Sequence, residues 1–505
     1  PIGCCQELGS NKGFLEDKND AGCAQLIQQV PTLASSAHGQ PQEAAICLAE
    51  LFCADDAEQL CKTMPTHHKT AQQLAMALNH PALASSTAVA KPAGPRTIAL
   101  GARLTVAVVG GGISGLLTAK WVLEEGLEAV IFEASERLGG IWAEGSARVY
   151  PTLHSNTARS WMHFSDFEFP QPSGGPSDFP HHSAISAQVA AYIERFNLAG
   201  MVELNSRVES VSRSEDGSGW ILSVGGKTRR FDRVCLCNGQ LQEAVVPNIP
   251  VQGPTDGVGT VCIPNEGRGT LAFHSSELGS MPPNVFAGCH VLIVGFGQAS
   301  GSDVAELAAK DAASVTILSP KALFLLPRLQ AGRPNEDRFT VVNALAPNVS
   351  KLLTPPQLLE KFPAHAPEDF TPGLHAPTRV WTLHELIGAG RVSVRLARLL
   401  HCRGGRAALS DGSELPADVV VWCTGYASHA LDILEPRLRF EVLTDAPLYE
   451  GIWPPSSPGL AFIGHDEAVW YFLEVQARWV ARVWSGTAPQ LPDQEVMRRH
   501  IGEAR

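Results

Sequence analysis

The sequence predicts an α/β fold in which parallel, doubly wound sheets are covered by helices on both faces. From residue 104 onward, apolar runs rich in β-branched residues alternate with helical segments. The runs are continuously apolar, as strands of a buried parallel sheet are, and two of them end in glycine-rich loops. They read TVAVVG, AVIFEA, RVCLCNG, HVLIVG, SVTILS, RVSVRL and DVVVWCTG.

Length and composition set the class of protein. The 505 residues correspond to roughly three structural units of about 150 residues each. Hydrophobic residues make up 44% and charged residues 18%, which is typical of a globular chain with a large core. The net charge of −12, without a dense Lys/Arg block, gives no electrostatic reason to bind nucleic acid or anionic lipid. We therefore expect a small-molecule substrate.

Residues 1–100 are predicted to form a small helical extension and a linker. PQEAAICLAELF, ADDAEQLCKTM and KTAQQLAMALN have helical spacing, and an Ala/Ser/Pro/Gly-rich stretch follows them. Six of the twelve cysteines lie in the first 61 residues, where spacing leaves their redox state open. The other six lie in apolar segments and are predicted to be reduced core thiols. No cluster has metal-ligand spacing, so no metal site is expected.

The first glycine loop predicts a dinucleotide site. It follows the strand TVAVVG and opens the amphipathic segment LLTAKWVLEEGL. In such a loop the first glycine makes the turn, the second admits a pyrophosphate and the third packs the helix closely on the strand. Glu133, at the end of the next strand, is placed to bond a ribose. The predicted loop contacts are Gly110, Gly111, Gly112, Ile113, Ser114 and Gly115.

A second glycine pair beyond the acid favours a flavin over a nicotinamide. Gly139 and Gly140 would let the chain pass close to FAD, and Ile141 and Trp142 follow them. The alternative is an ordinary turn beside a core tryptophan.

The second glycine loop predicts a second dinucleotide site. It follows HVLIVG, contains Gly295 and Gly297, and leads into the helical segment VAELAAK. The next strand, SVTILSPK, has no acid where Glu133 stands in the first unit, so nothing there repels a 2′-phosphate. Ser319 and Lys321 could receive that phosphate, which favours NADPH over NADH.

Four stretches resemble the flavin-containing monooxygenases, which are class B flavoprotein monooxygenases. The resemblance covers about residues 104–486 and none of the N-terminal extension. It implies two Rossmann-like domains, with an NADP domain (252–385) inserted in an FAD domain (101–251 and 386–505). The stretches are LHSNTARSWMHFSDFEFP (153–170), DVVVWCTGY (418–426), YEGIWPPSSPGLAFIGH (449–465) and LEVQARWVARVWSG (473–486).

The resemblance also implies roles for particular residues. Asn156 matches the family's amide over the flavin and is the expected catalytic residue; Ser155 and Thr157 flank it at cofactor-binding positions. Thr424 and Gly425 match the family's ATGY motif, which places them at a cofactor as well.

Two departures from the family pattern affect the second site. The family has GxGxSGxD, but Asp303 lies one residue further from the first glycine, so Ser300 or Gly301 takes the third-glycine role and Ser302 follows. The family's FxGxxxHxxxY/F fingerprint keeps only its histidine, His274, which could also be a structural residue. Leu278 ends this motif where Baeyer-Villiger enzymes have Trp, which argues against ketone oxygenation.

The implied activity is an FAD-dependent, NADPH-using monooxygenation of a soft nitrogen or sulfur nucleophile by O₂ through a flavin hydroperoxide. Alternatives are a Baeyer-Villiger oxygenase, or a weakly catalytic NADPH-oxidase-like flavoprotein whose N-terminus binds a partner. A pyridine nucleotide-disulfide reductase is disfavoured because the chain lacks paired redox cysteines.

The expected location is cytoplasmic. No window is apolar enough to span a bilayer, and the C-terminal residues lack the hydrophobic tail of the microsomal members of the family. The sequence begins with Pro1 and not Met, which leaves organelle import open, and the oligomeric state is not indicated.

Overall fold

The computed structural model describes most of the chain beyond residue 102. The described residues are 103–146, 148–169, 179–253, 269–296, 300–320, 325–330, 333–334, 378–445, 448–465 and 469–503. The predicted N-terminal extension, Gly297 and Lys321 lie outside these ranges.

The described chain divides into two compact units that alternate along the sequence. The first unit contains the described residues of 103–261, 271–285 and 421–505. The second unit contains those of 262–270 and 286–420.

Helices and strands alternate through both units. The helices are α1 (Ile113–Glu124), α2 (His182–Arg195), α3 (Ser300–Ala308), α4 (Leu383–Gly388), α5 (Pro436–Asp445), α6 (Trp470–Ser485) and α7 (Gln494–Glu503). The strands up to residue 300 are β1 (Thr105–Val109), β2 (Glu128–Phe132), β3 (Val202–Glu203), β4 (Val208–Arg213), β5 (Trp220–Val224), β6 (Lys227–Phe231), β7 (Arg233–Leu236), β8 (Glu243–Ala244), β9 (Leu271–His274) and β10 (His290–Val294). The later strands are β11 (Ser314–Leu318), β12 (Leu325–Pro327), β13 (Leu329–Gln330), β14 (Arg333–Pro334), β15 (Thr378–Val380), β16 (Val392–Arg395), β17 (Leu399–Arg403), β18 (Arg406–Leu409), β19 (Glu414–Pro416), β20 (Val419–Trp422), β21 (Tyr426–Ala427) and β22 (Leu460–Phe462). Short 3-10 helices span Gly140–Trp142, Arg159–Trp161, Leu198–Met201 and Ser275–Ser280.

The main sheet of the first unit is parallel and buried on both faces. Its strands lie in the order β22-β7-β1-β2-β3, and β1 pairs in parallel with both β2 and β7. Alternate residues of β1 point to opposite faces. Val106 and Val108 pack with α1 and α6, whereas Ala107 and Val109 pack with α5 and the β4-β5-β6 sheet. The predicted doubly covered sheet is confirmed here.

The second unit repeats the same architecture around β10. Strands lie in the order β16-β11-β10-β20, and the pairs β10-β11 and β11-β16 are parallel. An antiparallel meander of three strands, β17-β18-β19, lies between β16 and β20 in the sequence. The predicted α/β class with two Rossmann-like units is therefore confirmed.

The prediction that the scattered cysteines are reduced is wrong at one position. Cys235, Cys237, Cys402 and Cys423 are free, buried thiols, but Cys289 is disulfide-bonded. A disulfide requires two Cα atoms within about 7 Å, and tertiary folding, not sequence spacing, decides which cysteines meet.

The described helices are too short or too polar to cross a membrane: none of them combines the length and the apolar character that crossing a bilayer needs.

Candidate functional site

The first glycine loop begins where β1 ends. Gly110 has φ = +107°, and a Cβ there would lie 2.5 Å from the carbonyl oxygen of Cys237. Its N–H donates to the Phe132 carbonyl at 2.8 Å, which joins the loop to the end of β2. Only glycine satisfies both the positive φ and the close approach of the neighbouring backbone.

Gly115 brings helix α1 against the same turn. A Cβ on Gly115 would lie 1.9 Å from the Gly110 carbonyl oxygen, a distance that no side chain can occupy. The absence of a side chain at Gly115 therefore sets the direction in which α1 leaves the sheet.

The N-terminus of α1 is open to an anion. Gly112 is the N-cap residue, no side chain caps the helix, and its first turn contains no acid. The first helical N–H groups and the positive end of the helix dipole therefore face the loop. This is the arrangement that binds the pyrophosphate of a dinucleotide.

Glu133 lies at the rim of the loop, one residue after β2. Its two carboxylate oxygens accept hydrogen bonds from the N–H of Gly111 at 2.7 Å and of Ser135 at 2.8 Å. These bonds orient the carboxylate, and its remaining lone pairs can accept ribose hydroxyls.

The second glycine pair lies directly on the first loop. Gly139 and Gly140 both have positive φ, and the Gly139 N–H donates to the Gly111 carbonyl at 2.9 Å. A Cβ on Gly140 would lie 3.1 Å from the Cα of Gly112. The chain therefore passes close to the α1 N-terminus because it carries no side chains at this point.

The chain after this pair borders a cavity of about 760 Å³. Trp142 lines it, whereas Ile141 is exposed. The cavity lies between residues 137–151 and helix α2. Most of its walls are apolar, and burial, together with His181 and His154, lowers the pKa of the lining residue His182. The cavity is thus mainly apolar, with the charged side chains of Arg137 and Glu144 among its lining residues.

Asn156 is held in a constrained turn. The neighbouring Ser155 is buried, its N–H donates to the Pro180 carbonyl at 2.9 Å, and its hydroxyl donates to the Thr157 carbonyl at 2.6 Å. Asn156 and Thr157 are partly exposed. The Ser155 bonds thus anchor the backbone on both sides of the Asn156 amide.

Gly464 is a site residue that sequence reasoning missed. It follows β22, has φ = +78°, and a Cβ there would lie 2.5 Å from the hydroxyl of Ser114 on α1. Its N–H donates to Gln476, and its carbonyl accepts from Gln240. The run AFIGH shows a glycine directly after a strand, which is the available sequence signal. Its close approach to α1 appears only in the fold.

Thr424 and Gly425 make their hydrogen bonds outside the glycine loop. The Thr424 hydroxyl donates to the carbonyl of Val245, and the Val245 N–H donates to the Gly425 carbonyl at 3.0 Å. The structure therefore joins these two residues to the segment that follows β8.

The first glycine of the second loop has the same backbone geometry as that of the first loop. Gly295 has φ = +90°, and its N–H donates to the Leu318 carbonyl at 2.9 Å, at the end of β11. Gly301 takes the third-glycine role, because a Cβ there would lie 3.2 Å from the Gly295 carbonyl oxygen. Ser300 is the first described residue of α3, and the side chain of Ser302 is buried.

Ser319 occupies the position that Glu133 has in the first unit. Each follows the strand residue that accepts the N–H of the loop's first glycine. Each also donates its own N–H to the next strand: Glu133 to Glu203 at 3.0 Å, and Ser319 to Arg395 at 3.1 Å. The second unit therefore carries no carboxylate at this point.

A buried ion pair lies at the first turn of α3, and the sequence analysis missed its cation. The Asp303 carboxylate accepts a hydrogen bond from the Arg328 guanidinium at 3.2 Å. Arg328 is fully buried and lies 4.7 Å from the centre of the Trp381 ring. Asp303 therefore fixes α3 to the bend between β12 and β13 that carries Arg328.

His274 has the contacts of a structural cap. It is the N-cap of the 3-10 helix Ser275–Ser280, and the Glu277 carboxylate accepts from its N–H at 2.9 Å. Its ring packs edge-on against Tyr426, and burial lowers its pKa. These contacts favour the interpretation of His274 as a structural residue.

Comparison with known proteins identifies relatives over most of the chain. A family model described as "Flavin-binding monooxygenase-like" matches residues 103–505. Flavin-containing monooxygenase 5 of Cavia porcellus is 30% identical over 432 residues, covering 79% of this chain and 76% of that protein. Flavin-containing monooxygenase 3 of Oryctolagus cuniculus is 30% identical over 425 residues, covering 78% and 76%.

Solved structures share the fold at lower sequence identity. The S-allyl-L-cysteine S-oxygenase of Allium sativum matches with a TM-score of 0.54 and 22% identity, covering 79% of this chain and 81% of that one. An open structure of cyclohexanone monooxygenase matches with a TM-score of 0.57 and 17% identity, covering 76% and 88%.

Proposed function

The chain belongs to the flavin-binding monooxygenase-like family, and from this premise we propose that it oxygenates a soft nitrogen or sulfur atom of a small molecule. The enzyme is a flavoprotein monooxygenase that uses FAD and NADPH. The observation that carries the proposal is the anchored Asn156 turn, in the same unit as a glycine cradle shaped for a flavin dinucleotide.

The residues of the first unit fit FAD. The uncapped N-terminus of α1 is free of acids and would receive the pyrophosphate, and Glu133 would accept the ribose hydroxyls. Gly140 and Gly464 leave space at the α1 N-terminus that side chains would otherwise fill.

The residues of the second unit fit NADPH. Gly295 and Gly301 form the turn at the N-terminus of α3, and Ser319 leaves the ribose position without a negative charge. A 2′-phosphate would therefore meet no carboxylate there, and Lys321 is our proposed cation for it. We also propose that the second unit is an NADP domain inserted in an FAD domain, which its position within the chain supports.

Bound FAD supplies the redox chemistry, since it accepts a hydride from NADPH and reacts with O₂ once reduced. The protein's own contribution is to position donors and exclude water. The side-chain N–H of Asn156 would donate a hydrogen bond to the reacting oxygen, and the Ser155 bonds hold the backbone in place for this.

The apolar cavity next to Trp142 would receive the substrate. Its walls are mainly apolar, burial lowers the pKa of His182, and Arg137 and Glu144 contribute one charge of each sign, so the cavity fits an uncharged amine or thioether. Ketone oxygenation is the second candidate. It is disfavoured because Leu278, buried in a 3-10 turn, occupies the position that a tryptophan has in Baeyer-Villiger enzymes.

The test is a panel of amines, thioethers and ketones, with products identified by mass and hydrogen peroxide measured against NADPH consumed. We expect N-oxides or S-oxides. Asn156→Asp keeps the shape of the side chain but removes its donor, and Asn156→Ser shortens it; both should raise peroxide release about tenfold. Esters from ketones would assign the second candidate instead, and peroxide without any product in the wild type would reject oxygenation.

A further inference from the structure

Three helices hold the segment that follows Asn156. Residues 164–167 form a tight turn, in which Phe164 and Phe167 exchange backbone hydrogen bonds at 3.0 and 3.3 Å. We call this turn, together with the side chains from α1, α2 and α6 that contact it, the clamp. Its polar members are Lys120, Ser165, Asp166, Tyr192 and Glu474.

Lys120 provides the cation of the clamp from the middle of α1. Its side chain is only 1% exposed, and its ammonium bonds the carboxylate of Asp166 and, at 2.9 Å, that of Glu124. The same ammonium lies 3.4 Å from the centre of the Trp121 ring. An ammonium this deeply buried requires charged partners, because its desolvation is otherwise uncompensated.

Glu474 holds the same turn from α6. Its carboxylate accepts both the hydroxyl of Ser165 at 2.5 Å and the N–H of Ser165 at 2.8 Å. Burial raises the pKa of this carboxyl group. The ring of Phe164 stacks on Trp470, also in α6, at 5.4 Å between centroids.

Helix α2 closes the third side of the turn with Tyr192. Its ring packs edge-on against Phe164 at 4.9 Å and against Phe167 at 5.4 Å. The turn is thus contacted by aromatic rings and polar side chains from three separate helices.

Short hydrogen-bonded turns connect the clamp to Asn156. The 3-10 helix Arg159–Trp161 leads to Met162, whose N–H donates to the Arg159 carbonyl at 3.0 Å. The Arg159 guanidinium lies 4.7 Å from the Phe169 ring, so the segment also folds back on itself. These contacts make residues 156–169 one hydrogen-bonded segment that contains both Asn156 and Asp166.

We propose that Lys120 is a positioning residue: its ion pair with Asp166 holds residues 155–169, and with them Asn156, in a set position against the helix whose N-terminus receives FAD. This rests on the proposed function only for the role of Asn156. The expected consequence of breaking the pair is leakage of reducing equivalents to hydrogen peroxide, with FAD still bound, because 1 Å of misplacement is enough to cost a large factor in rate.

Glu124 and Asp166 offer a matched pair of variants. Both carboxylates bind Lys120, and their side chains are similarly exposed, at 44% and 35%. Only Asp166 belongs to the segment of Asn156. Asp166→Asn should therefore raise peroxide per NADPH by about threefold or more, whereas Glu124→Gln should leave the ratio at the wild-type value.

A second measurement reports position without turnover. Hydrogen exchange of the amides in residues 155–169 should become faster in Asp166→Asn and stay unchanged in Glu124→Gln. Lys120→Met repeats the test from the other partner, since it leaves both carboxylates able to reach water, and it should reproduce the Asp166→Asn result in both measurements.

Equal effects of Asp166→Asn and Glu124→Gln would overturn the proposal, because Lys120 would then only stabilise the fold. Unchanged exchange in Asp166→Asn, or faster exchange without more peroxide, would overturn it as well. Failure of the proposed function is seen separately, as a wild type that makes no oxygenated product, and in that case the exchange comparison alone decides whether Lys120 positions the segment.

Discussion

The two glycine loops share one turn but differ in what surrounds it. In both, a glycine with positive φ donates its N–H to the last residue of the neighbouring parallel strand. The first loop is then followed by an acid and a tightly packed helix, and the second by a serine and a looser one. We propose that the backbone turn binds a phosphate in either unit, and that the side chain after the second strand selects the ribose.

The helix also packs more closely on the glycine turn in the first loop than in the second. A Cβ at the third glycine would lie 1.9 Å from a carbonyl oxygen in the first loop and 3.2 Å in the second. In the second loop the third glycine is Gly301, and the described residues of its helix begin at Ser300. The first loop therefore tolerates less change than the second.

The largest expected effect comes from adding one methyl group to each loop. Gly115→Ala meets backbone that cannot move, and we expect it to cost about 3 kcal/mol and to abolish FAD retention. Gly301→Ala meets mainly the ring of Phe296 at 2.9 Å, which can shift, so we expect about 1 kcal/mol and a raised KM for NADPH. Flavin content after purification and thermal melts measure both. Equal losses in the two variants would contradict the comparison.

A smaller effect is expected from exchanging the selecting side chain. Ser319→Glu places in the second unit the carboxylate that the first unit has, and it would repel a 2′-phosphate. The ratio of kcat/KM for NADPH over NADH should fall by about 10- to 100-fold. Ser319→Gln, of the same size but uncharged, is the control and should change the ratio far less; an equal fall in the control would point to crowding and not to charge.

The smallest expected effect is on the pH dependence of stability, to which His465 in the first unit and Glu306 in the second contribute with opposite sign. Burial lowers the pKa of His465, beside Gly464, to about 4. Its unfolded value is about 6.5, so the stability that the neutral ring contributes is present above pH 6.5 and is lost as the pH falls toward 4, by about 1 kcal/mol at pH 5.5.

Glu306 in the second unit responds in the other sense. It accepts the N–H groups of Trp381, Thr382 and Leu383, and burial raises its pKa. Its contribution is therefore present below the unfolded value and is lost as the pH rises through the folded one. Urea unfolding at pH 7 and at about 4.5, the unfolded value of a Glu carboxyl, should show less acid loss in His465→Gln than in the wild type, and more in Glu306→Gln. The same pH dependence in both variants would refute this assignment.

Much of the site could be predicted because its chemistry is local. Gly110 to Gly115 follow a strand and open a helix, and Glu133 ends the next strand, so the parallel pairing that the runs predict already brings them together. The equivalence of Ser319 in the second unit to Glu133 in the first can be predicted in the same way, since the two units repeat the same strand pairing.

The rest depended on contacts between distant parts of the chain. Gly464 meets Ser114, and Glu474 meets Ser165, across hundreds of residues. Arg328 is buried against Asp303, which lies 25 residues away in the sequence. No local pattern marks such residues, because their environment is created by elements that only packing brings together.

The sequence by itself determined the α/β class, the two dinucleotide loops, the acid in one and its absence in the other, since strand period, glycine spacing and helix patterning are local properties of the chain. Only the tertiary structure decided that Gly301 fills the third-glycine position, that Cys289 is oxidised, and that Lys120 reaches Asp166. Each of these depends on distances between atoms far apart in sequence, and those distances are set when the helices pack on the sheets.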